Sequence, residues 1–323
     1  MQTNEVMPEH AAGARWTGRQ FHNQPEQSHQ HQFLLDLWSD VRAETGGRVA
    51  VSVHAQNAGV PGSDPQALDM LQSGELEFMT LMGGILGRTV PATEIQGLPF
   101  AFTSHAQVHA VNEGALGAYL DEECRAKGIH RFRHGLLENG FRHIGMTAKP
   151  INNAEDLVGV VMRVPDGQMF RDLFTALEAK PVVVNINGLY DALASGRVDG
   201  QENPLVVTEV NKLYEVTRFM SLTSHMWSGF NLIANRAFWD RLPGDVQAVI
   251  DRHVQKHAQR QRTYTDGFNR ELETILAERG IRFNKADTDS FRAKLGAGFY
   301  RRWRGQLGET AWRLLEVEIG RLG

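Results

Sequence analysis

Between Asn153 and Pro165 the chain sets out a short helix, a stop and a strand, and this punctuation limits the folds open to it. Asn153 supplies a side-chain cap, Gly159 ends the helix, residues 160–164 form a β-branched run, and Pro165 stops that strand. The same order appears upstream. Val49, Val51 and Val53 alternate with Ala50 and Ser52, Asp64 caps a helix with Pro65 in its first position, Gly74 stops it, and residues 76–81 return as a strand. It appears again downstream, as a helix over 168–177 carrying Met169, Phe170 and Leu173, a strand over 182–185, and a helix over 187–195 ended by Gly196. Strand–helix–strand units repeated in both halves predict sheets with helices on their faces.

The other elements fit around these units. Residues 1–15 lack periodicity and read as a loose leader, and residues 57–64 read as a loop. Ser28 caps a helix whose Phe33, Leu34, Leu37, Trp38 and Val41 share one face. A single helix is expected over 104–127. Strands are expected over 129–132 and 141–146, joined by Glu138, Asn139 and Gly140, and over 219–222 and 230–234. A long helix over 243–279 would reach about 50 Å at 1.5 Å per residue. A short strand over 281–283 and helices over 289–303 and 310–321 close the chain, with Trp303, Trp312, Leu314 and Leu315 docking on the body.

Composition removes several classes of function. The 323 residues carry a net charge of -4, without the basic excess of a nucleic-acid surface. One cysteine, Cys124, cannot form an intramolecular disulfide. No apolar run approaches the roughly 20 residues of a membrane span, and the first residues lack the apolar core of a secretory signal. Dinucleotide-binding, phosphate-loop and nucleophile-elbow motifs are absent, and no cofactor is expected. His22, His29 and His31 read as a loop entering a helix. His130, His134 and His143 do not make a zinc spacing, so no metal ligand is assigned.

A charged residue near the end of the 160–164 strand is the best candidate for chemistry. Arg163 cannot sit unpaired in an apolar strand interior, so it faces a crevice or solvent. Its guanidinium matches a carboxylate bidentately; the alternative is a structural arginine tying two loops together. Downstream, Pro204 holds Asn203 extended, and the amide offers both a donor and an acceptor.

These residues carry a resemblance. The runs Gly159 to Pro165 and Asp199-Gly200-Gln201-Glu202-Asn203-Pro204, with residues 72–76, 98–102 and 238–243 in support, resemble the DctP-like substrate-binding proteins of TRAP transporters, solute-binding family 7. The resemblance runs from about residue 21 to 279. It implies a two-lobed α/β fold like that of periplasmic binding proteins, mixed sheets covered by helices, and a ligand cleft between the lobes. Lobe 1 would comprise residues 16–140 and 230–267, and lobe 2 residues 141–229 and 268–323. It implies a monomer that is not an enzyme, binds no nucleic acid, captures a small organic acid and delivers it to the small and large TRAP membrane subunits. The acid would be a sugar acid, a 2-oxo or 2-hydroxy acid, an aromatic acid or a C4-dicarboxylate. Arg163 would pair with its carboxylate, Arg142 would approach the same acid or face solvent, and Asn203 would contact the ligand or its arginine. Met82, Ile186, Phe170, Met226 and Trp227 are candidates for an apolar wall, with Trp227 either a plate against the ligand or part of a hinge core. Such proteins work in the periplasm, which suggests that an export signal was trimmed from this sequence; a cytoplasmic member is the alternative. The rival functions are an enzyme acting on a small organic acid and a sensor that never meets a transporter.

Overall fold

The computed structural model describes residues 13–56 and 63–322. Most of the expected leader and of the 57–64 loop therefore lies outside the described residues. The strands are β1 (Trp16–Phe21), β2 (Val49–His54), β3 (Phe78–Met82), β4 (Ile129–Met146), β5 (Val161–Val164), β6 (Lys180–Val183), β7 (Gly200–Asn203), β8 (Phe219–Asn235) and β9 (Arg282–Lys285). They form a mixed nine-stranded sheet in the order β2-β1-β3-β8-β4-β7-β5-β6, with β9 on β8. The β2-β1-β3 and β7-β5-β6 groups are parallel, as their helical crossovers require. β4 and β8 run antiparallel to each other between the two groups. This is a two-lobed α/β fold of the periplasmic-binding-protein kind.

β4 and β8 correct the sequence reading. Two strands were expected in each place, but each is continuous, over 18 and 17 residues, or about 60 Å for β4. Residues that look like turns locally are absorbed as bulges. Register shifts fall between Arg131 and Leu136, Glu138 and Gly140, and Arg142 and Ile144. Gly140 has φ 125°, and a Cβ there would come within 3.3 Å of Pro204 Cβ. Gly140→Ala should therefore destabilise the fold by about 1–3 kcal/mol, read from chemical denaturation.

Three other boundaries move. Ser63, not Asp64, caps the helix Asp64–Ser73, so Asp64 is free to do something else. The expected 104–127 helix is two, His105–Glu113 and Ala115–Ala126, broken at Gly114. Thr288–Leu307 and Glu309–Ile319 meet at Gly308, with Trp303, Trp312 and Leu315 buried and Leu314 half-buried. The Ser28 cap is present, its side chain accepting from the His31 N–H.

The long helix is Gly244–Glu278, 35 residues and about 52 Å. Val246, Ile250 and Val254 pack with Trp38 and Phe78 in one core cluster, whereas Leu272 and Leu276 pack with Leu189, Val207 and Ile281 in another. Its apolar stripe therefore joins cores that β8 also joins, through Leu232 in the first and Met220 in the second. Among the described residues, no helix is long and apolar enough to cross a membrane.

Candidate functional site

The carboxyl ends of the parallel strands converge on a narrow cavity of about 20 Å³. Asn23 and Gln24 follow β1, Met82 ends β3, Pro165 and Asp166 follow β5, Asn185 and Ile186 follow β6, and Asn203 ends β7. Ligand crevices of open α/β sheets lie at such ends. Larger depressions, of about 550, 620 and 650 Å³, contain none of the sequence-predicted site residues. Chemistry rather than size selects the small one.

Arg163 lies on β5 opposite Val182 of β6 and Gln201 of β7. It is 2% exposed and lines the cavity. Its Nε donates to the Val184 carbonyl at 2.7 Å. Among the described residues its terminal nitrogens donate no hydrogen bond, although a guanidinium has five donors. Burial lowers its pKa to about 10, against the attraction of Glu202 and Asp64, so it stays charged at neutral pH.

Asp64 faces the same cavity. Asn23 Nδ2 donates to Oδ2 at 3.0 Å, and Gln24 Nε2 donates to Asn23 Oδ1 at 3.0 Å. The other carboxylate oxygen, Oδ1, is buried without a partner among the described residues. Burial pushes this carboxyl up to about 6, outweighing Asn23, Arg163 and the nearby Asn185 amide, all of which favour the charged form. The folded state then holds the proton between its ordinary pKa of 3.8 and about 6, where the unfolded chain has lost it. Stability contributed by the neutral form falls as pH rises through that window. Asp64→Asn should raise stability at neutral pH by up to about 3 kcal/mol, at roughly 1.4 kcal/mol per pKa unit, and leave it unchanged near pH 4. Urea denaturation at both pH values checks this.

Arg142 is not among the residues lining the cavity. It and Glu202 are fully buried and paired. Both Nε and Nη2 donate to the Glu202 carboxylate, Nη2 also reaches the Glu202 carbonyl and, at 3.0 Å, Asn203 Oδ1, and Nη1 donates to Ser228 Oγ at 3.1 Å. The Phe170 ring lies 5.0 Å from the guanidinium carbon. Arg142 thus stands behind the wall and orients Asn203, whose Nδ2 donates to Gln201 Oε1. Burial opposes charge on Glu202, but Arg142 and His225 hold its pKa below the usual carboxylate value.

Met82, Ile186, Asn203 and Arg163 share the cavity, whereas Phe170 and Trp227 do not line it. Phe170 fills the space beside Gly84. Trp227 Nε1 donates to Glu138 Oε1 at 2.7 Å, and Glu138 also pairs with His105 and His109. Met226, the remaining wall candidate, is buried with its Cε against Gly97. Asn23, Gln24, Asp64, Asn139 and Asn185 line the cavity without having been singled out as site residues. Asn185 lies at the end of a strand expected from the sequence, whereas Asn23 and Gln24 follow β1, which is not among the expected strands, Asp64 opens a helix and Asn139 lies within β4.

The family profile described as DctP, "bacterial extracellular solute-binding protein, family 7", matches residues 21–303. The chain is 34% identical over 209 residues to the protein y4mM of Sinorhizobium fredii, covering 65% of this chain and 38% of that relative. A TRAP periplasmic solute-binding protein from Polaromonas, solved with D-erythronate bound, aligns with TM-score 0.86 at 27% identity, covering 95% of this chain and all of that one. A second, from Sulfitobacter with bound β-D-galacturonate, aligns with TM-score 0.87 at 25% identity, covering 94% of this chain and 99% of that one.

Proposed function

Since the chain belongs to the bacterial extracellular solute-binding proteins of family 7, we propose that it captures a small organic acid between its two lobes, with Arg163 pairing the ligand's carboxylate. The family is one of transport proteins, not of enzymes. The observation that carries the reading is Arg163 itself: a buried, charged guanidinium at a cavity, with no acceptor for its terminal nitrogens among the described residues. A carboxylate supplies two coplanar acceptors for that fork.

Asp64 narrows the choice of acid. Its unpartnered Oδ1 accepts a hydroxyl hydrogen, so an acid bearing a hydroxyl near its carboxylate suits the pair better than a plain dicarboxylate. The similar proteins solved with D-erythronate and β-D-galacturonate hold acids of that kind. Asn23 and Asn203 would frame the ligand, with Met82 and Ile186 as its apolar side. Arg142 and Phe170 would act by fixing Asn203 and the wall behind it, and Trp227 by holding the hinge. Residues 16–140 with 230–267 would form one lobe, and residues 141–229 with 268–323 the other. Capture would end in delivery to the two TRAP membrane subunits from the periplasm, the compartment of the similar solute-binding proteins.

A thermal-shift panel tests the reading. Hydroxy acids, sugar acids, C4-dicarboxylates and the neutral sugars of the same skeletons would be added to the purified protein. Ligand at a hundredfold excess over Kd adds about 2.7 kcal/mol. A shift with an acid and none with its neutral counterpart is expected. Equal shifts with both would remove the arginine–carboxylate pair, and no shift with any acid, in protein shown by mass spectrometry to be ligand-free, would remove the organic-acid reading.

A further inference from the structure

The long helix carries a second group of side chains with chemistry, none of which lines the cavity. His253 and His257 are four residues apart on it, and Asp40 and Glu44 are four apart on the helix His29–Glu44 beside it. Residues at that spacing share a helix face, so two imidazoles meet two carboxylates. His257 Nε2 lies 2.8 Å from Asp40 Oδ2, and His253 Nδ1 lies 3.6 Å from the same oxygen. His253 Nε2 is 2.6 Å from Glu44 Oε2. The two imidazole side chains are 12% and 3% exposed. His253 Nδ1 is buried with no hydrogen-bond partner among the described residues.

The geometry points to a divalent transition-metal site, of the zinc class, formed by Asp40, His253 Nδ1 and His257 Nε2. These three ligand atoms lie within 4.8 Å of one another. Metal–ligand bonds of about 2.0–2.1 Å place tetrahedral ligand atoms about 3.3 Å apart, between the 2.8 and 3.6 Å seen here. Glu44 does for His253 what outer carboxylates do for metal-bound histidines. It takes the Nε2 hydrogen, and so presents the Nδ1 lone pair to the centre of the cluster. Two imidazoles with one carboxylate favour zinc, cobalt, nickel or copper over magnesium or calcium. A water would complete four-coordination.

Two cations compete with the metal. Lys256 Nζ lies 2.7 Å from Asp40 Oδ2, and Arg260 Nη1 lies 3.5 Å from His257 Nδ1. Both side chains are about half exposed and can swing into solvent, 53% for Lys256 and 52% for Arg260. A metal would displace the ammonium from Asp40 and clip the two helices together. This site stands apart from the organic-acid reading and would survive its failure.

The test is titration of the untagged full-length chain with zinc chloride by calorimetry, at about pH 7.5 where free imidazole is neutral, with cobalt absorption as a spectral check. One zinc per chain is expected, with cobalt bands of a four-coordinate nitrogen–oxygen site. Asp40→Asn and His257→Gln should each weaken binding more than about 100-fold. Glu44→Gln, on the exposed rim, should weaken it about 10-fold through the His253 tautomer, and keeps the test alive if the buried His257 variant fails to fold. Lys256→Ala should tighten binding by removing a competitor. Absence of saturable zinc uptake by the wild type overturns the proposal. So does uptake unchanged in both Asp40→Asn and Glu44→Gln, which would put the zinc on other histidines.

Discussion

Arg163→Ala should bind its organic acid at least about 100-fold more weakly than the wild type, a loss of about 3 kcal/mol or more. Truncating one partner of a buried, hydrogen-bonded charge pair costs about 2–5 kcal/mol, much of it from leaving the other charge unpaired in a dry site. The ligand carboxylate would be that other charge. Among the described residues no other cationic side chain lines the cavity, and Arg142 is committed to Glu202, Asn203 and Ser228. Arg163→Lys should fall between the two, since it keeps the charge but loses the planar fork. Calorimetric titration with the acid that gives the largest thermal shift reads all three proteins. An alanine variant within threefold of wild type would place the ligand's acid elsewhere.

Arg142→Met should produce the largest loss of stability, about 3–5 kcal/mol. Removing one member of a buried ion pair strands the other, and Glu202 is fully buried with His225, 3.3 Å away, and the more distant attraction of Arg163 left to offset its charge. His225 is held below its ordinary pKa by burial, so it is a poor substitute. The double variant Arg142→Met with Glu202→Leu should recover part of the loss, because two apolar groups leave no stranded charge. Guanidinium unfolding of the single and double variants measures both effects. Equal stability of the two would show that a stranded Glu202 charge is not the source of the loss. In either variant Asn203 loses a partner that orients it, so weaker ligand binding should accompany the instability.

The β2–β3 and β5–β6 units were readable because their ends are marked locally: Gly159 and Pro165 bracket the strand that presents Arg163, which lies at the cavity. β1 and β7 were not, because six and four residues without an apolar alternation give no strand signal until their neighbours in the sheet pair with them. Asp64 was read only as a helix start; its burial depends on Asn23, 41 residues away. Arg142 shows the same limit. Its partner Glu202 is 60 residues distant, and nothing near a strand arginine says whether it meets solvent, a ligand or a buried carboxylate. The continuity of β4 and β8 was hidden for a related reason. Asn139-Gly140 and Ser228-Gly229 have turn chemistry, and only their pairing across the sheet, Gly140 with Ser228 and Glu138 with Gly229, keeps both strands unbroken.

With the lobes divided as proposed, β4, β8 and the long helix would each pass from one to the other without a loop. Relative movement of such lobes would then be stored as curvature in hydrogen-bonded backbone, in the manner of a leaf spring, and not released as free rotation about a few bonds. The bulges beside Gly140 and Arg142 are where such a spring is thinnest. Part of the binding energy of any ligand that draws the lobes together would be held as elastic work in those strands. The same work, given back on opening, would help to set how readily the ligand is surrendered.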